Sequence, residues 1–271
     1  MTTYSHSRLG CFETCPRQYY YQYVAKVALE DEQEPIEFFL GSRVHDALEE
    51  LYRATMNGRV VDCDGLIKSF EKAWKDRRHD GLVITAKGET EANYRQVGIQ
   101  ALRNYHARYA PFNDVRTLGL ERKVSIDLNG DGQYRLTGYI DRLTQREDGV
   151  YEIRDYKTSK YLPTQADADA DRQLALYHLG VQRMWPEAKE VELVWHYLRF
   201  DKELRSRRTP EQIDELRQAI TTLIDDIESR GRKEESFETN ESGSCDRCAY
   251  QHVCPARKHL FKTEAMPANR F

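Results

Sequence analysis

No apolar stretch in the chain approaches the roughly 18–20 residues that a membrane span needs. The first residues, MTTYSHSRLGCFETCPRQ, hold no apolar run of the kind that directs export. The expectation is a cytoplasmic protein with no membrane partner. A Gly-x4-Gly-Lys-Ser/Thr segment is also missing, so the chain carries no ATP-driven motor of its own. Internal repeats and low-complexity tracts do not occur. An excess of positive charge is lacking as well, with 41 Lys and Arg against 45 Asp and Glu and a net charge of −4. That balance argues against a histone-like coat on nucleic acid, although it permits an enzyme with local basic patches. What the chain does hold is 39% hydrophobic and 32% charged residues, enough apolar surface to fill a core. At 271 residues it is long for one average domain and short for two. Six cysteines without a sign of secretion point to metal binding before disulfides.

Ser5 to Val24 reads as a polar-aromatic helix, with Pro16 at a start or kink. Glu30 to Glu37 carries acids around Pro35 and reads as a solvated loop or as the first turn of the next helix. Phe38 to Met56 has apolar residues at 38, 40, 44, 48, 51 and 52, which is helical spacing. Asp64 to Arg78 and Glu89 to Tyr109 read as two more helices, the second ended by Pro111. The period then changes. Leu118 to Leu128, Tyr134 to Thr144 and Gly149 to Thr158 read as strands, joined by turns at Asn129-Gly130-Asp131-Gly132 and Arg146-Glu147-Asp148-Gly149. A helix over Ala166 to Met184 stopped by Pro186, a strand over Val191 to Phe200 and a helix over Pro210 to Arg230 complete the order. Such an order predicts a mixed sheet covered by helices, in the α/β or α+β class.

The second turn centres near residue 148, so partners across that hairpin sum to about 296. Asp141 and Asp155 then lie roughly opposite each other, and alternation places Tyr151, Ile153, Asp155 and Lys157 on one face. Like charges directly opposite in a sheet destabilise it. The simplest offsets are Lys157 and a divalent cation, and Mg²⁺ suits one or two carboxylates completed by water and phosphate oxygens. Taken alone, the same short pattern also fits a solvated strand face.

Four segments now stand in order: Gly41-Ser42-Arg43-Val44-His45 on a helix, Gly138-Tyr139-Ile140-Asp141 and Asp155-Tyr156-Lys157-Thr158 on consecutive strands, and Gln173-Leu174-Ala175-Leu176-Tyr177 on the next helix. This ordered set resembles the PD-(D/E)xK nuclease superfamily, in its RecB-like iron–sulfur branch of CRISPR-associated and phage exonucleases. The resemblance implies a restriction-endonuclease-like α/β fold, a mixed central sheet flanked by helices, with an iron–sulfur subdomain formed by both chain ends. It implies one nuclease domain over residues 1–271, with 1–30 and 235–271 forming the cluster subdomain and 57–112 a helical insertion. By the same resemblance His45, Asp141, Asp155 and the backbone carbonyl of Tyr156 would hold Mg²⁺ or Mn²⁺. Lys157 would orient or activate the attacking water and stabilise charge on the phosphate. Gln173 and Tyr177, four apart on one helix face, would hold DNA backbone or groups behind the ligands, and Glu121 is the further acid on the first strand. Plainer readings exist for each. His45 borders an apolar stripe where core histidines sit, Glu121 adjoins Arg122 and Lys123 and could form a surface ion pair, and Gln173 and Tyr177 suit a helix surface and a core edge.

Cys245, Cys248 and Cys254 place three thiolates within ten residues, which suits a soft metal centre. A closed site needs a fourth ligand. Spacing alone leaves zinc, with four Cys or with His252 replacing one, level with an iron–sulfur cluster. The resemblance implies a 4Fe-4S cluster with Cys15, in Cys15-Pro16-Arg17, as the fourth ligand. Cys11 is the rival for that place, and Cys63 reads as a buried or free thiol.

Three basic groups could track phosphates or could be ordinary solvated charge: Arg199 to Arg208, the set Lys157, Lys160 and Arg172, and the residues around the cysteines up to Lys262. The expected activity is that of a Mg/Mn-dependent deoxyribonuclease, an exonuclease on single-stranded DNA or duplex ends. It would serve DNA repair, recombination, or phage or CRISPR DNA processing, with helicase, recombination or CRISPR adaptation partners. The alternative is a non-catalytic or weakly catalytic DNA-end-binding subunit of a larger complex. A zinc-stapled binding protein without hydrolase activity is a third reading.

Overall fold

A computed structural model describes residues 2–29 and 33–260. Three of the acids before Pro35, Lys262 and the far end of the 235–271 range lie outside the described residues. In chain order the elements are β1 (Thr3–Tyr4), α1 (His6–Thr14), α2 (Pro16–Tyr19), β2 (Glu34–Pro35), α3 (Ile36–Met56), α4 (Cys63–Arg77), β3 (Leu82–Val83), α5 (Glu91–Tyr109), β4 (Arg116–Asp127), β5 (Arg135–Gln145), β6 (Tyr151–Lys157), α6 (Gln165–Ala170), α7 (Gln173–Met184), β7 (Val191–Tyr197), β8 (Lys202–Ser206) and α8 (Pro210–Ser229). They fall into two compact units. One holds residues 2–3 and 33–219, the other residues 4–29 and 220–260.

In the larger unit a mixed sheet carries β4, β5, β6, β7 and β8 side by side in that order. Only the β6–β7 pair is parallel among these. Two turns set the meander. The Asp127 carboxylate accepts the N–H groups of Gly130 and Gly132, each at 3.0 Å, and both glycines take the positive φ that such a loop requires. Across the next hairpin Arg142 pairs with Arg154 and Leu143 with Ile153, the register that the turn position predicts.

The helical layer follows from apolar spacing. On α3, Ile36, Leu40, Val44, Leu48 and Leu51 recur at helical intervals, and all are buried. They share one core with Phe70 and Trp74 of α4 and with Leu102 and Tyr105 of α5. Asp62 caps α4 by accepting the Gly65 N–H at 2.7 Å, and a Thr90–Asn93 capping box starts α5.

Two elements differ from the sequence reading. The helix expected over Ala166 to Met184 is two, because the Asp171 carboxylate accepts the N–H of Gln173 at 2.8 Å and starts α7 afresh. The strand expected to reach Phe200 stops at Tyr197. A 3₁₀ turn over Leu198–Phe200 and the left-handed Asp201 (φ 48°) reverse the chain into β8, which the charged run Lys202 to Ser206 had concealed.

The smaller unit draws on both ends of the described chain. Ser5 caps α1, and Cys15 ends it in an extended conformation that Pro16 converts into the start of α2. A π-helical turn over Tyr20–Val24 continues α2. Phe237 packs against Phe12, Tyr19 and Tyr20, with ring centres 6.4, 6.2 and 5.4 Å away. Arg17 donates to the Phe237 carbonyl at 2.6 Å and pairs with Glu234, while Asn240 donates to the Thr14 carbonyl at 2.9 Å. These polar and aromatic contacts hold the amino-terminal helices against residues 234–240.

Candidate active site

The larger unit brings together side chains from α3, β4, β5, β6 and α7. His45 of α3 donates from Nε2 to the carbonyl of Tyr156 at 2.8 Å, which turns its Nδ1 toward Asp141 Oδ2 at 3.5 Å. The same Asp141 oxygen accepts the Tyr156 N–H at 2.8 Å, so the first acid is tied to the backbone of the strand that carries the second. Ligand atoms of His45, Glu121 and Asp141 all lie within 4.8 Å of one another. Asp155, 5% exposed, is paired instead with Lys157, whose Nζ lies 2.6 Å from Oδ2. Lys157 also donates to Gln173 Oε1 at 3.2 Å, and the Gln173 amide in turn reaches the Tyr177 hydroxyl at 3.5 Å. The repulsion expected between the two aspartates is thus met by His45 and a backbone amide on one side and by Lys157 on the other.

The electrostatics record a surplus of negative charge. Burial pushes the Asp141 carboxyl up to about 7, with Asp155 and Glu121 adding to the rise and His45 opposing it. Burial also raises Glu121, helped by Glu49, Asp46 and Asp155. For His45, burial works against the charged ring, but Asp141, Asp155 and Glu121 outweigh it and hold the pKa above its ordinary value. Burial likewise opposes charge on Lys157, and Asp155 overcomes it, so this side chain stays an ammonium at neutral pH. Hard carboxylate oxygens beside one imidazole form a donor set that fits a divalent cation of the Mg²⁺ or Mn²⁺ type.

Backbone geometry explains the glycines beside these groups. A Cβ on Gly138 would lie 2.1 Å from Tyr177 Cε1, so the bare backbone there is what admits the Tyr177 ring. A Cβ on Gly41 would lie 3.3 Å from Thr158 Oγ1, which brings the helix of His45 up to the end of β6. Gly138→Ala should lower stability by about 1–3 kcal/mol through overpacking. Urea unfolding of the variant checks this, and unchanged stability would contradict the contact.

A family model, that of the PD-(D/E)XK nuclease superfamily, matches residues 3–255. The chain belongs to this superfamily. Among solved structures it is similar to a crystal structure of a protein from Eubacterium rectale provisionally named an exonuclease, with TM-score 0.52 and 15% identity over 98% of this chain and 91% of that one. At that identity the likeness concerns the fold. The protein SSO0001 matches at TM-score 0.36 and 14% identity, over 89% of this chain and 95% of that one, too low to bear on the argument. No curated protein sequence matches the chain.

In this member of the PD-(D/E)XK superfamily several of the basic residues are engaged in ion pairs. Arg205 pairs with Glu152, Glu192 and Glu203 at 2.9, 2.6 and 2.8 Å, and Arg207 pairs with Glu190 and Glu192. Lys160 is held by Glu37 at 3.1 Å and Tyr94 at 2.7 Å. In the structure these basic residues are ion-pair partners of acids, most of them far off in sequence.

Sequence reasoning missed the support behind β6. Arg154, 2% exposed, pairs with Glu152 at 2.6 Å and contacts His196 at 3.0 Å, and His196 lies 3.1 Å from Glu203. Hydroxyls of Tyr52, Tyr105 and Tyr156 follow in series at 2.5 and 3.2 Å, with the Arg142 guanidinium 3.5 Å above the Tyr52 ring. Opposite charges two apart on a strand, Glu152 and Arg154, were the available signal. Glu121 carries a second feature, a left-handed backbone at φ 43° that glutamate rarely adopts.

In the smaller unit Cys15, Cys245, Cys248 and Cys254 line one cavity together with Arg17 and Tyr21. Cys11 does not line it, and Cys63 sits at the start of α4 in the larger unit. All six cysteines are free thiols. Among the described residues no helix is long and apolar enough to cross a membrane.

Proposed function

We propose that this chain is a metal-dependent deoxyribonuclease of the RecB-like iron–sulfur branch, an exonuclease acting on single-stranded DNA or duplex ends. The observation that carries the reading is the convergence of His45, Glu121 and Asp141 within 4.8 Å beside the Asp155–Lys157 pair. His45, Asp141, Asp155 and the Tyr156 carbonyl would hold Mg²⁺ or Mn²⁺, with Glu121 close enough to join them. Bound there, the cation supplies Lewis-acid charge to a phosphate oxygen and lowers the pKa of water.

The chain's own groups do the rest. The Lys157 ammonium, fixed by Asp155 and Gln173, is a charge donor aimed at the phosphate rather than a base. Gln173 and Tyr177 would hold substrate backbone or the groups behind the ligands, as their contacts with Lys157 and with each other support. His45 ties α3 to the Tyr156 peptide, so the acid on β5 and the pair on β6 keep one geometry.

The soft donor set of Cys15, Cys245, Cys248 and Cys254 fits a 4Fe-4S cluster. All four thiols line one cavity, which supports a single shared centre, and the family resemblance is what favours the cluster over tetrahedral zinc.

The test is digestion of 5′- and 3′-labelled linear strands, beside a closed circle, with Mg²⁺ or Mn²⁺. Linear DNA should be degraded from its ends, the circle spared, and chelator should stop the reaction. Failure to hydrolyse any of these DNAs with either metal would overturn the proposal.

A further inference from the structure

A second polar cavity, of about 590 Å³, lies in the larger unit and shares no lining residue with the His45, Glu121, Asp141 and Asp155 group, between α7, the start of β7 and the first turns of α8. His178 of α7 lines it. This side chain is 4% exposed, and neither ring nitrogen has a hydrogen-bond partner. The contrast with His196 is direct. That ring is equally buried, at 3%, and engages Arg154 and Glu203. Burial lowers the pKa of His178 to about 4, with Arg208 adding, so the ring is neutral at pH 7 and offers one N–H and one lone pair. Buried polar groups left unmade cost stability, and a native chain that keeps one invites a ligand as the reason.

The charge around the cavity is uneven. Arg208 donates to the carbonyls of Ala168, Asp171 and Arg207 at 3.0, 2.8 and 3.2 Å and to the Ser206 hydroxyl, which leaves its Nε–H unengaged, and no carboxylate among the described residues stands within 4.0 Å of it. Lys189 likewise makes no ion pair among the described residues. The lining sets Lys189, Arg207, Arg208 and Arg217 against Glu190 and Asp214, which pair with Arg207 and Arg217, and Val191, Pro210 and Ile213 add an apolar part. A ligand that satisfies all three features is anionic at one end, flat or apolar at the other, and carries neutral hydrogen-bonding groups. The volume exceeds what a lone phosphate fills.

We propose that this cavity binds a nucleotide phosphomonoester, free or at a strand end, with its phosphate between Lys189 and Arg208 and its base and sugar against Val191, Pro210, Ile213 and His178. The site does not depend on the nuclease reading, and work in chelator separates it from any metal-held phosphate.

The experiment is calorimetric titration of the full chain in chelator with dAMP, with a 5′-phosphorylated dinucleotide and with orthophosphate, alongside nitrogen-labelled histidine spectra. Saturable one-to-one binding of dAMP is expected, at least tenfold tighter than orthophosphate, with the ring signals of one histidine displaced. Equal binding of the dinucleotide would mark the strand end as the source, and weaker binding would mark the free nucleotide. Lys189→Ala should weaken dAMP at least tenfold. His178→Leu should weaken it while leaving the melting temperature equal or higher, which a histidine kept for structure alone would not do. Absence of saturation at millimolar dAMP, or an affinity indifferent to both variants, overturns the proposal.

Discussion

Lys157→Ala is expected to slow DNA hydrolysis by about 10²–10³-fold while the fold persists, the usual cost of losing one charge donor aimed at a transition state. The side chain ends β6 with its ammonium 2.6 Å from Asp155 and 3.2 Å from Gln173. Its removal takes away the charge set against the phosphate and leaves Asp155 buried without its counter-ion. Lys157→Arg keeps the charge but spreads it over a planar fork of different reach, so only partial recovery is expected. Asp141→Asn should be as inactive, with the opposite signature in stability. Burial pushes the native Asp141 carboxyl up to about 7 from its ordinary 3.8. Between those values the folded chain keeps a proton that the unfolded chain releases, so in chelator the stability contributed there is lost as pH rises from about 4 to 7. The asparagine variant lacks that slope and should match or exceed the parent near pH 7. Single-turnover kinetics with saturating Mn²⁺ and melting curves in chelator read the two effects apart. A Lys157→Ala protein as fast as the parent would sink the assignment.

The contrast between those variants reflects what each residue's surroundings reveal in a sequence. The hairpin register was legible because turn chemistry at Arg146 to Gly149 fixes every partner beyond it, and Arg142 does face Arg154. Helix α3 was legible because its apolar interval survives in any context. β8 was not. Lys202 to Ser206 reads as solvated charge until β7 pairs with it and sets Glu203 against His196. The break before α7 rests on one Asp171 side chain reaching a backbone N–H, a competition between local bonds that spacing cannot weigh.

At the candidate site the residues could be named, but their division of labour could not. The four ordered segments put His45, Asp141, Asp155, Lys157, Gln173 and Tyr177 in view, while alternation alone treated the two aspartates alike. The structure separates them. Asp141 faces His45 and Glu121, and Asp155 faces Lys157. That asymmetry lies in contacts from separate elements, His45 of α3 and Glu121 of β4 on Asp141 and Lys157 on Asp155, which leave no trace in composition or period. Behind β6 lie the buried Arg154–Glu152 pair and the Arg154–His196 contact.

Cys15→Ser, Cys245→Ser, Cys248→Ser and Cys254→Ser are each expected to lose iron and to lower the melting temperature by about 10 °C or more, whereas Cys11→Ser should keep both. Pro16 opens α2 and leaves Cys15 as its cap, turned into the cavity shared with the three later thiols, while Cys11 lies one turn earlier on α1 and outside it. The smaller unit otherwise coheres through a few aromatic contacts and the Arg17 bonds to Phe237 and Glu234, so a four-thiolate centre would supply much of its stability. Loss of the centre should therefore speed amide exchange across residues 4–29 and 220–260 and leave the sheet of the larger unit protected. Iron and sulfide analysis with hydrogen exchange decides the matter. Iron retained in Cys15→Ser but lost in Cys11→Ser would move the fourth ligand to Cys11. An iron-free, zinc-bearing parent purified without oxygen would replace the cluster with zinc.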